Sequence, residues 1–63
     1  MPNIEMELEY AYNCWRGRRM FDDETAKSLK QCMARTAGSE IDKAAIKYPR
    51  DFIDYVDVRV GQV

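Results

Sequence analysis

Residues 21–49 read FDDETAKSLKQCMARTAGSEIDKAAIKYP, and the punctuation of this stretch sets the fold expected of the whole chain. Phe21-Asp22-Asp23-Glu24 opens one helix, Ala37-Gly38-Ser39 closes it and starts another, and Tyr48-Pro49 closes the second. Asp22 stands where an N-cap side chain accepts a first-turn N–H, and Phe21 before it can pack on Ala26 as a hydrophobic staple. Ala26, Leu29, Cys32, Met33 and Ala37 form an apolar stripe, while Lys27, Lys30, Gln31 and Arg35 face water. The spacing predicts a helix over residues 23–37, with Gly38 as its left-handed C-cap. Ser39 and Asp42 make a capping-box-like pair for a helix over residues 40–48. That helix carries Ile41, Ala44, Ala45 and Tyr48, and Pro49 disfavours helical geometry at the residue before it. Two helices of this size cannot bury their apolar faces alone, so flanking segments or a second subunit must cover them.

Toward the N-terminus, residues 4–15 satisfy two periods. Ile4, Met6, Leu8, Tyr10 and Tyr12 alternate with Glu5, Glu7 and Glu9 as in a half-buried strand. The same residues place Ile4, Leu8, Ala11, Tyr12 and Trp15 on one helical face. Composition decides for helix: Met, Glu, Leu and Ala are good helix formers, and Glu is depleted in strands. Asn3 can cap the start, and Glu5, Glu7 and Glu9 precede Arg16, Arg18 and Arg19 in the order that complements the helix dipole. A helix over residues 4–17, stopped at Gly17, is expected.

Beyond Pro49 the character changes. Residues 52–60, FIDYVDVRV, are rich in β-branched and aromatic side chains, with Tyr55, Val58 and Val60 near a two-residue period. The fold class expected is therefore mostly α, with two or three short helices and an extended or strand-like C-terminal tail. A strand needs a neighbour for its backbone groups, either its copy in a second subunit or Ile4–Tyr12. In that second case, Ile4–Tyr12 and Phe52–Val60 pair as strands in a small α+β fold. A third option is a short amphipathic helix starting at Asp51 with Phe52, Tyr55 and Val56 inward.

The 63 residues suffice for one small domain, 1–63, without internal repeat, linker or low-complexity segment. Such a domain buries only about 60% of the surface its unfolded chain exposes, so it is marginal without a metal, a disulfide or a partner. Hydrophobic residues make up 46% and charged residues 33%, the balance of a globular chain. A net charge of −1 gives no overall attraction to nucleic acid or an anionic membrane. No apolar run approaches a membrane span, no signal sequence starts at Met1, and a cytoplasmic protein is expected. Cys14 and Cys32 show no metal-binding or redox spacing and read as buried thiols. Histidine is absent, which removes the commonest general base and transition-metal ligand.

Candidate sites follow from these residues. Arg16, Arg18 and Arg19 beside Trp15 are the densest positive cluster; they could grip phosphates, but a dipole-complementing helix end neutralised by Asp22, Asp23 and Glu24 is the favoured reading. Residues 33–47 partly match a helix-turn-helix, but Ser39 and Lys47 fall on core positions, and Glu40 and Asp42 would repel a phosphate backbone. The scattered carboxylates have too little interior around them to raise a carboxyl pKa, so neither an enzyme nor a cofactor is expected. The aromatics are the more telling signal, since Tyr, Trp and Arg dominate interface hot spots. Tyr10, Trp15, Phe21, Tyr48, Phe52 and Tyr55 are the candidates for a partner or dimer interface, although at least half of the aromatic set is expected in the monomer's core. A protein-binding homodimer is expected, with nucleic-acid binding through Arg16, Arg18 and Arg19 as the alternative.

In its length, its reading frame from Met1 to Val63 and the compact capped-helix build of Phe21–Pro49, the chain resembles the small early or accessory regulatory proteins of temperate bacteriophages. The resemblance implies a regulator acting in the host cytoplasm on a host or phage protein. It carries no diagnostic motif, so it assigns no residue a role.

Overall fold

The computed structural model describes residues 3–63; the signal-sequence reading at Met1 concerns a residue outside that range. Four helices and no strand make up the described residues: α1 (Ile4–Arg18), α2 (Asp23–Ala34), α3 (Gly38–Ala45) and α4 (Arg50–Gly61). α1 packs against α2 and α3, and α2 also packs against α4. The body measures 28 × 22 × 20 Å, about two helix diameters across its short axes. Side chains fill what lies between.

The first two caps form as their sequence dictates. The Asn3 side chain accepts the Met6 N–H at 2.9 Å. Asp22 accepts both the N–H and the hydroxyl of Thr25, at 2.9 and 2.8 Å. From α1, Ile4, Leu8, Ala11 and Trp15 are buried, the helical face and not the strand face of that segment. From α2, Ala26, Leu29 and Cys32 join the core, and Phe21 lies buried ahead of the cap.

Several expectations are corrected. α1 continues through Gly17, and it is Arg19, at φ 63° and ψ 23°, that takes the left-handed C-cap conformation. α2 stops at Ala34 instead of running to Ala37. The Thr36 hydroxyl donates to the Cys32 carbonyl at 2.6 Å, while the Arg35 and Thr36 N–H groups bond three residues back. A threonine that ties up a carbonyl in this way competes with continuation of the helix. Gly38 is then no C-cap: no glycine in the described residues has positive φ, and Gly38 opens α3 after Ala37. The Ser39–Asp42 capping box does not form, since α3 has no side-chain cap.

The largest correction concerns the tail. Neither the extended C-terminal segment nor the pairing of Ile4–Tyr12 with Phe52–Val60 exists; Arg50–Gly61 is a helix, close to the amphipathic option. Val56 and Val58 would share one face of a strand, yet Val56 is buried and Val58 exposed. Phe52, Val56 and Arg59 instead recur at offsets of four and seven, a helical stripe. Tertiary burial overrides the intrinsic β-preference of these residues. Phe52, at 0% exposure, is the largest fully enclosed side chain. Its ring lies 5.2, 5.3 and 5.5 Å from those of Tyr12, Trp15 and Tyr48, in the tilted and edge-on geometries that aromatic quadrupoles favour.

One cation fastens the end of α4 to the start of α2. Arg59 Nη2 donates to the Phe21 carbonyl at 3.0 Å and to Asp23 Oδ1 at 2.8 Å, and its guanidinium lies 5.8 Å from the Phe21 ring centre. The Asp23 carboxylate raises the Arg59 pKa further above its already high value. The Glu5–Lys47 ion pair, 2.6 Å long, links the start of α1 to the segment after α3. Both its side chains are largely exposed, so water screens most of the attraction.

Candidate interaction surface

The six aromatics expected at an interface divide sharply. Trp15, Phe21 and Phe52 are buried in the monomer, and Tyr48 and Tyr55 are half-buried against its core. Tyr10 alone stands mostly in solvent, at 60% exposure. The structure thus gathers five of the six inside: Phe52 touches Trp15 and Tyr48, and Tyr55 meets Phe21 edge-on at 5.2 Å. Burial raises the Tyr48 phenol pKa, with Glu9 adding to the shift.

The apolar surface left over comes mainly from residues that aromatic counting overlooks. Among the described residues, Met6, Met20, Ile46 and Val58 join Tyr10 as large hydrophobics more than half exposed, and Ile46 reaches 81%. Met6 and Tyr10 sit one turn apart on the outer face of α1. Beyond Tyr10, a depression of about 400 Å³ is bordered by Cys14, Met20 and Thr25. The Cys14 thiol beside the Tyr10 phenol raises the pKa of the phenol.

A larger groove of about 520 Å³ opens between the end of α3 and the outer face of α4. Ala45, Ile46, Tyr48 and Ile53 line it, with charged Asp42, Arg50 and Asp57 around them. Ile46 occupies the C-cap of α3, where the chain turns toward Pro49 and nothing in the core requires an isoleucine. A sequence signal for it exists: Ile46 falls off the stripe drawn by Ile41, Ala44, Ala45 and Tyr48.

The arginine cluster is spent largely on the chain's own rings. The Arg19 guanidinium lies 5.1 Å from the Trp15 ring centre and that of Arg16 5.8 Å from Tyr12. Trp15 is buried, so its indole is not offered to a stacked base. In the helix-turn-helix comparison, Glu40 and Asp42 are both exposed on α3. No group of three or more Cys, Asp and Glu side chains among the described residues is arranged to hold a metal ion. Cys14 and Cys32 are free thiols. No described helix is long and apolar enough to cross a membrane. Neither family models, nor characterised proteins, nor solved structures give a match to this chain.

Proposed function

We propose that this protein is a non-enzymatic interaction module that works as a homodimer and regulates a protein partner by binding it. The observation that carries the reading is the retention of Met6, Tyr10, Met20, Ile46 and Val58 in solvent, while the other large apolar side chains among the described residues are drawn into or against one core. Met6 and Tyr10 one turn apart on α1, and Ile46 beside Ile53 in a groove rimmed by Asp42, Arg50 and Asp57, set apolar surface next to charge, as protein-binding patches do. Two separate faces, one on α1 and one between α3 and α4, suit a molecule that meets a copy of itself with one and a different protein with the other. The likeness in size and capped-helix build to accessory regulators of temperate phages belongs to the same proposal, with a host or phage protein in the cytoplasm as the partner.

Light scattering across a dilution series, paired with anisotropy titrations of short oligonucleotides in graded salt, tests this reading. It expects a mass that climbs to twice that of the chain and no salt-dependent nucleic-acid affinity. A strictly monomeric protein overturns it. So does oligonucleotide affinity that falls steeply with salt and vanishes when Arg16, Arg18 and Arg19 are all changed to alanine.

A further inference from the structure

The α4 side of the groove between α3 and α4 has a charge order that matches its own inverse, with Asp42 adding an acid on the α3 side. Arg50, Ile53 and Asp57 follow one another at offsets of three and seven along α4 and share one face, with the base near the start of the helix and the acid near its end. Two copies of this face laid antiparallel have their twofold axis midway between residues 50 and 57, beside Ile53. Each Arg50 then stands across from the other copy's Asp57, and the apolar residue stands at the centre. We infer that this groove is the homodimer interface and that its occupant is a second copy of the chain, an inference that rests on the homodimer reading above.

The pattern is specific to the antiparallel arrangement. Laid parallel, the same helices set Arg50 against Arg50 and Asp57 against Asp57, and like-charge juxtaposition works against such pairing. Ile46 supplies the apolar contact. It projects from the lip of the groove at 81% exposure, and Ala45, Tyr48 and Ile53 form the apolar part of the groove behind it. A twofold axis makes the exchange reciprocal: each Ile46 enters the other copy's groove, the self-complementary arrangement of a closed dimer. Within one chain, Arg50 Nε bonds Asp54 Oδ1 at 3.1 Å, but both side chains remain largely exposed. Among the described residues the other guanidinium N–H groups have no partner, and they can reach across.

Charge exchange at the two ends tests the inference at small cost to the fold, since the Arg50–Asp54 pair that Arg50→Asp gives up is largely exposed and screened by water. An acid at position 50 falls in the first turn of α4 and a base at position 57 in its second half, and both changes suit the helix dipole. Arg50→Asp alone sets acid against acid across the interface, and Asp57→Arg alone sets base against base. Each is expected to weaken dimerisation about tenfold or more, and the Arg50→Asp/Asp57→Arg double variant is expected to recover it, as measured by analytical ultracentrifugation. Ile46→Gln, counted twice in a symmetric dimer, is expected to weaken association about a hundredfold while leaving the far-UV circular dichroism spectrum unchanged. A dimer that survives Ile46→Gln and dissociates with Tyr10→Glu overturns this assignment and leaves the homodimer reading in place. Single charge variants that dimerise like the parent also overturn it, and a parent chain that never dimerises overturns both.

Discussion

Replacing Gly17 by alanine tests how α1 ends, because the two readings of that glycine predict opposite signs. A glycine that stops a helix in the left-handed conformation tolerates no side chain there without strain, and alanine at such a position costs about 1–2 kcal/mol. In the structure Gly17 lies within α1, has no positive φ, and an added methyl group would meet nothing within 4 Å. The left-handed turn is made two residues later by Arg19. Alanine therefore gains helix propensity and restricts the unfolded chain, stabilising by about 0.5–1 kcal/mol. At about 4–8 °C per kcal/mol for a domain of this size, the melting temperature should rise by about 2–8 °C. Thermal unfolding followed by far-UV circular dichroism, at matched protein concentration so that association does not contribute, gives the answer. A lower melting temperature for Gly17→Ala would refute the placement of Gly17 inside the helix and of the cap at Arg19.

Gly38→Ala carries the same logic to the α2–α3 junction: stabilisation by about 0.5 kcal/mol is expected in urea titration, against a loss of at least 1 kcal/mol for a true left-handed cap. Phe52→Ala removes the ring held by Tyr12, Trp15 and Tyr48 and should cost about 3–5 kcal/mol. That is most of the stability, about 3–9 kcal/mol, expected of a domain this small, and fluorescence of Trp15, the one tryptophan, should shift toward that of the unfolded chain. Asp22, whose pKa is lowered by the Thr25 N–H and hydroxyl, stabilises the fold above the ordinary carboxylate pKa, and that contribution disappears as pH falls through the lowered folded value. Asp22→Asn keeps a capping acceptor, so melting temperatures should change little near neutral pH but fall less steeply in acid than those of the parent.

What could be read from residues alone was whatever depends on near neighbours. Asn3 and Asp22 bond donors three residues ahead, so their capping roles are written locally, and the buried face of α1 follows from spacing. α4 could be read only as one of three options because its determinants are distant. Its N-cap is Pro49, which has no capping side chain, the Asp51 carboxylate accepts only the N–H of its neighbour Phe52, and a proline that ends one helix also stands where the next begins. Its interior is β-branched and aromatic, and what holds it helical is Phe52 against α1 together with the Arg59 clamp to Phe21 and Asp23, 36–38 residues away. Counting aromatics likewise located only Tyr10 of the exposed surface. Rings fill a small core most economically, so they went inside, and aliphatic Ile46 was left at the lip of the groove.

The helical tail also changes what a second subunit would have to supply. An extended segment 52–60 would have needed another strand to satisfy its N–H and C=O groups, and dimerisation would then have been backbone pairing at a sheet edge. A helix closes its own hydrogen bonds, so α4 asks nothing of a partner on that account. What remains open is side-chain surface: Ile46 and Ile53, framed by Arg50 and Asp57. Association through such a surface is driven by apolar burial, with charge fixing its direction, so it should show a negative heat-capacity change. Salt should weaken it only modestly, because the charges that orient it lie at the rim. Backbone pairing would give the reverse dependence on side chains: near indifference to Ile46→Gln, and loss on introduction of proline at any paired position.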